Sequence, residues 1–295
     1  HKNAVRNFVL GGADLQGEAR ERFAAIQEKQ AELGQKFSEN TLDATDAFSY
    51  YANMAELDGV PADVVQAARS AAEAEGKEGY KLTLKMPCYL PVMQFATSSA
   101  LRGMLYRAYA TRASQEAAEE FRKFDNTDVI NGILALRKEE AQLLGYPDFA
   151  TLSVVPKMAD SPETVIQFLR DLARKARPFA EKDVADLRAF AKDELQLNDP
   201  QPWDWPYISE KLKEARYAFS EQEVKQYFTA PKVLAGLFKI IDTLFDVEIS
   251  PDTAPVWNPG VQFYRMERVC PQGRTLIGQF YLDPTARSGK RGGAW

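Results

Sequence analysis

Between Gly17 and Ala52 the apolar residues return every three or four positions, through Phe23, Ile26, Leu33, Phe37, Ala44, Phe48 and Tyr51. Glu18, Arg20, Glu21, Arg22, Glu28 and Lys29 occupy the other face. That period fits one long amphipathic helix and no strand, so the run predicts a helix over 17–52. Residues 161–195 repeat the pattern. Ser161 stands as a cap, Pro162 at the first helical position, and Glu163 and Glu194 bracket roughly nine turns. Pro178 lies inside this run, where it predicts a kink or a break. Two helices of this length restrict the chain to a mainly α architecture.

The intervening segments punctuate the same theme. Pro61 and Gly76 frame a helix within 58–76. Residues 80–93 alternate through Leu82 and Leu84 before Pro87 and Pro91, which predicts a short extended piece and a turn. Ser98 and Ser99 open a helix through Leu101, Met104, Leu105 and Ala108. A further helix ends near Gly145, with Pro147 behind it and a second short helix following. Beyond the proline-rich loop 198–207, helices are expected within 208–219, 220–227 and 231–245. The last residues change period. "VQFYRMERV" and "TLIGQFYLD", joined by "CPQGR", read as a β-hairpin. The expected organisation is a helical scaffold over 1–255 and a hairpin opening a small sheet over 256–295.

Composition narrows the chemistry. Of 295 residues only one is histidine, two are cysteine, and the formal charge is −5. An acidic balance argues against a dedicated nucleic-acid binder. No apolar run of about 18 residues exists for a membrane span, and "HKNAVRNFVLGG" carries no signal-peptide core. Cys88 and Cys270 suit two free thiols in a reducing cytosol, with one disulfide between them as the alternative. His1 alone supplies neither a zinc ligand set nor the base of a Ser-His or Cys-His hydrolase.

Candidate sites are few. Glu139 and Glu140 are neighbours on a helix and point about 100° apart, so surface or ion-pair roles are expected of them. Trp203, Trp205, Tyr207, Tyr217, Tyr227 and Phe228 read as core packing rather than a stacking platform for bases. Arg287, Lys290 and Arg291 lie among glycines without the Lys-Ser or Lys-Thr of a phosphate loop, and read as a solvated basic turn. Gly292 and Gly293 would let another backbone approach closely, the physics of an edge strand pairing with an extended peptide.

Residues 101–114 (LRGMLYRAYATRAS), 133–172 and 201–228, together with the ending "GQFYLDPTARSGKRGGAW", resemble the M3 family of zinc oligopeptidases. The resemblance runs colinearly from about Ala4 to Trp295. It departs from the family pattern at Tyr207-Ile208-Ser209-Glu210 and at Pro284-Thr285-Ala286-Arg287, where Pro284 withdraws a backbone N–H. The resemblance implies a mainly α, helical zincin-type (neurolysin-like) fold with a small β-sheet near the C-terminus. It implies a cytoplasmic, monomeric metalloendopeptidase that cleaves short unfolded peptides, cleaved signal peptides among them, in a deep channel. It further implies zinc held by an H-E-x-x-H helix and a later glutamate. No H-E-x-x-H occurs in this sequence. The chain is therefore expected to be an interior slice of such an enzyme, with no catalytic residue and no metal ligand of its own. Its expected contribution is a channel wall and a substrate-backbone strand carrying Arg287, Gly292, Gly293 and Ala294. Alone, it is expected to be inactive, free of stoichiometric zinc and prone to self-association, with no nucleic-acid or membrane partner. The alternatives are a natural zinc-less helical peptide-binding or scaffold protein, and a chain completed in trans by a second fragment.

Overall fold

The computed structural model describes the chain except residues 218–220, 272 and 294–295, and the side chains of 221 and 222. Two compact units divide between Ser209 and Glu210. The first carries α1 (Lys2–Leu10), α2 (Gly17–Ala47), β1 (Tyr50–Ala52), α3 (Ala62–Glu73), β2 (Tyr80–Leu82), α4 (Met86–Phe95), α5 (Ser99–Ala110), α6 (Thr127–Leu143), α7 (Phe149–Val154) and α8 (Pro162–Asp193). Helix α9 (Trp205–Tyr217) carries the boundary, and α10 (Glu221–Lys225), α11 (Ala230–Phe245), β3 (Val247–Pro251), β4 (Gln262–Cys270) and β5 (Gly273–Leu282) complete the second unit. The sheet thus begins at β3, upstream of the expected hairpin. The division falls 46 residues before the expected one at 255/256.

Capping explains several boundaries. Ser98, Asp148 and Ser161 each accept a bond from the backbone N–H three residues on, at 3.2, 2.8 and 3.2 Å, which satisfies donors that a helix start leaves open. Helix α2 stops at Ala47, because Tyr50–Ala52 pairs antiparallel with Tyr80–Leu82. The expected extension to residue 52 yields to that pairing. Helix α8 runs unbroken through Pro178, so of the expected kink or break the break does not occur. The expected extended piece is β2, whereas residues 86–95 form a helix where a turn was expected. Pro87 sits in the first turn, where no partner is needed, and Pro91 removes one ladder bond. Burial of Tyr89, Val92, Met93 and Phe95 outweighs that loss.

The main core of the first unit gathers Leu57, Leu82, Leu84, Val92, Met93, Leu101 and Leu105, with Phe48, Tyr50 and Trp203 against it. Helices α2 and α6 pack side by side. Their exposed flank is joined by Arg22, whose fork meets Glu139 at 2.6 and 2.7 Å, and by Gln27 and Gln30, which donate to Glu140. Both glutamates therefore serve as ion-pair and hydrogen-bond partners. Buried Asn126 donates to the Phe37 carbonyl and accepts from Asn40, which fixes the start of α6 on α2.

In the second unit β3, β4 and β5 form an antiparallel sheet in that order, with a bulge at Ile277. Helix α11 covers one face, its Phe238 ring meeting Tyr264 edge-on at 5.2 Å. Apolar side chains also remain at the surface: Phe168, Leu172 and Phe179 on α8, and Leu237, Ile240 and Leu244 on α11. No helix among the described residues is long and apolar enough to cross a membrane.

Candidate functional site

Two polar assemblies stand out, one in each unit. In the first, Arg102 on α5 is fully buried. Its guanidinium donates to Asp204 at 2.6 Å and to the Ala96 carbonyl, and stacks over the Tyr207 ring at 4.3 Å. Asp204 also accepts from Ser99 at 2.8 Å and from the Gln201 N–H at 2.9 Å, and Trp203 donates its indole N–H to Ser99. Gly103 lets the Trp203 ring lie close, since a Cβ there would stand 3.0 Å from it. Ser99 gives its proton to a carboxylate that Arg102 already neutralises, so the group is a structural lock and not a nucleophile with a base. The sequence alone singled out Ser99 as a cap and Trp203 and Tyr207 as core aromatics, but not the Arg102–Asp204 pair that joins them.

The second assembly carries the predicted site. Beyond β5, residues 283–293 form coil and turn, with no strand among the described residues. Arg287 is half-buried, and its fork grips the Asp283 carboxylate at 2.8 and 2.9 Å. Lys290 reaches the same carboxylate at 3.1 Å and donates to the carbonyls of Asp283 and of Thr285. The Trp257 indole N–H completes the set at 3.2 Å. Arg287, then Lys290 and Trp257, hold the Asp283 carboxyl far below the usual carboxylate range. The basic turn is thus engaged rather than merely solvated. Asp283 and Trp257 escaped the sequence reading, although an aspartate four residues before an arginine was a usable signal.

Gly292 and Gly293 follow at the surface. Gly293 has φ +137°, a conformation reserved for glycine, whereas a Cβ on Gly292 would meet open space. Ala294 lies outside the described residues. An open groove of about 400 Å³ runs along the same unit, lined by Pro251, Asp252, Thr253, Val256, Phe263 and Tyr264. Asp252 is held ionised there by the Thr253 N–H and by Gln279. Among the six aromatics expected in the core, Trp203 packs there, while Tyr217, Tyr227 and Phe228 are about two-thirds exposed.

No three His, Cys, Asp or Glu side chains among the described residues come together as a metal site. The single imidazole is exposed at the N-terminus, and Cys88 and Cys270 lie in different units. Burial raises the Cys88 thiol and disfavours the thiolate that a metal needs. These residues do not fit a zinc ion. What the 283–293 loop can offer is hydrogen bonding and close approach of a backbone.

Comparison with known proteins gives this arrangement its context. The profile of peptidase family M3 matches residues 92–295. Oligopeptidase A of Salmonella typhimurium is 44% identical over 295 residues, covering 99% of this chain and 43% of the relative. Organellar oligopeptidase A, chloroplastic/mitochondrial, of Arabidopsis thaliana is 40% identical over 304 residues, covering 99% of this chain and 37% of the relative. Dipeptidyl carboxypeptidase of Escherichia coli is 27% identical over 294 residues, covering 98% and 42%. The chain spans less than half the length of these curated relatives. The profile takes in α5, the Arg102–Asp204 lock and the entire sheet with its Asp283 loop, and on that match the chain belongs to peptidase family M3.

Proposed function

We propose that residues 1–295 are the non-catalytic part of a zinc metallo-oligopeptidase that hydrolyses short unfolded peptides in the cytoplasm. One observation carries this reading. The chain aligns over 99% of its length with proteins named oligopeptidase A, yet spans 43% of the first of them and holds a single histidine. In this reading, residues beyond this chain supply the metal ligands and the general base. The helical unit supplies scaffold and channel wall. The loop carrying Arg287, Gly292, Gly293 and Ala294 supplies backbone against which an extended peptide lies. Two free cysteines suit a reducing compartment.

The test compares the chain with the protein of the longest reading frame that contains it. Internally quenched peptides of several lengths serve as substrates, with folded proteins as competitors. The expected outcome is zinc-dependent cleavage of short peptides by the longer protein, and neither cleavage nor equimolar zinc for residues 1–295. A reading frame without further residues, or cleavage by the pure chain, would overturn it. A zinc-less peptide-binding or scaffold protein would then be the better account.

A further inference from the structure

We propose that Asp283 is a positioning residue: it closes the loop 283–290 on itself and so sets the backbone of Gly292 and Gly293 for an extended peptide. The peptide half of this proposal rests on the function proposed above; the closure half does not.

The loop leaves the sheet at Leu282, the last residue of β5, and forms no strand afterwards among the described residues. A segment of this kind normally exchanges freely with solvent and samples many conformations. Here side chains replace the ladder. The Arg287 fork meets both oxygens of Asp283, a bidentate geometry that fixes direction as well as distance. Lys290 lies between the carboxylate and two main-chain carbonyls, those of Asp283 and Thr285, and so satisfies backbone acceptors that a strand partner would otherwise take. Trp257, from the connection between β3 and β4, donates to the same carboxylate. Its ring contacts Tyr281, which in turn contacts Phe263. The loop is therefore tied both to its own origin and to a neighbouring strand connection through one side chain.

The glycines sit just past the closure. Gly292 has an ordinary φ and open space where a Cβ would go, so nothing among the described residues requires glycine there. An approaching main chain would require it, because a side chain at that position would stand in its way. A closed loop ending in an unobstructed backbone is pre-organised, and pre-organisation appears as affinity.

Amide hydrogen exchange on the chain and on the longer protein tests the closure. For Asp283→Ala, exchange of the 285–293 amides is expected to accelerate about tenfold or more, with β3, β4 and β5 amides unchanged. Asp283→Glu is expected to restore part of the protection. Unchanged exchange in Asp283→Ala overturns the closure, whatever the protein does. Acceleration across the whole sheet overturns it as well, by assigning Asp283 a general structural role. On the longer protein, Asp283→Ala and Gly292→Val are each expected to raise KM for an internally quenched alanine-rich octapeptide about tenfold, with kcat within about twofold. Gly292→Val should leave loop exchange and melting unaltered, which separates obstruction from unfolding. A loosened loop with unchanged KM overturns the positioning role. Absence of cleavage by the unsubstituted protein overturns the peptide half together with the proposed function, while the exchange result still decides the closure.

Discussion

Replacing Asp204 with alanine deletes the acceptor of bonds from Arg102, Ser99 and the Gln201 N–H. It leaves the Arg102 guanidinium fully buried with, among the described residues, the Ala96 carbonyl and the Tyr207 ring as partners. An uncompensated buried charge costs about 3–5 kcal/mol. The unit spans His1–Ser209, a size at which each kcal/mol lowers the melting temperature by roughly 2–4 °C, so a fall of roughly 6–20 °C is expected. Thermal and urea unfolding followed by circular dichroism and tryptophan fluorescence would measure it, with Trp203 as a reporter inside the lock. The double variant Arg102→Met/Asp204→Leu removes both charges and should recover most of the loss, because an apolar pair of similar volume avoids desolvation. Arg22→Ala, which breaks the half-exposed pair with Glu139, should be much milder than Asp204→Ala. If Asp204→Ala melts no lower than Arg22→Ala, or the double variant is worse than either single one, the reasoning about a buried lock fails.

Two further outcomes follow from local geometry. Gly59 has φ +83° and its Cβ would stand 2.3 Å from the Phe95 carbonyl, whereas Gly76 has φ +65° and open space. Gly59→Ala should therefore destabilise by more than about 2 kcal/mol and Gly76→Ala by about 1, compared by urea midpoints, and equal losses would show the Phe95 contact to be unimportant. The Asp283 carboxyl has a depressed folded-state pKa, so its contribution is complete above the unfolded value of about 3.9 and is lost only as pH falls through the lower folded one. Protection of the 285–293 amides, corrected for intrinsic exchange, should thus be constant from pH 8 to 5; a decline within that window would refute the assigned partners.

The sequence by itself determined most of the helices, the C-terminal hairpin and the scarcity of histidine and cysteine, but neither the helix over Lys2–Leu10 nor that over Met86–Phe95. Apolar residues spaced at three and four positions over 17–47 and 162–193 leave a helix as the one local solution, and caps such as Ser98 and Ser161 are local chemistry. One histidine among 295 residues limits chemistry whatever the fold. Where the sequence misled, a distant contact overruled a local signal. Proline at 87 and 91 argued for a turn, yet burial of Tyr89, Val92 and Met93 in the core made a helix the lower state. Tyr50–Ala52 continued a helical pattern, yet pairing with Tyr80–Leu82 drew it into a strand. Only the tertiary structure decided that Arg102 meets Asp204 across 102 positions, and that Trp257 reaches across 26 positions to the carboxylate on which Arg287 and Lys290 converge. Such partners are chosen by where packed helices and paired strands bring side chains together, and linear spacing carries no record of that.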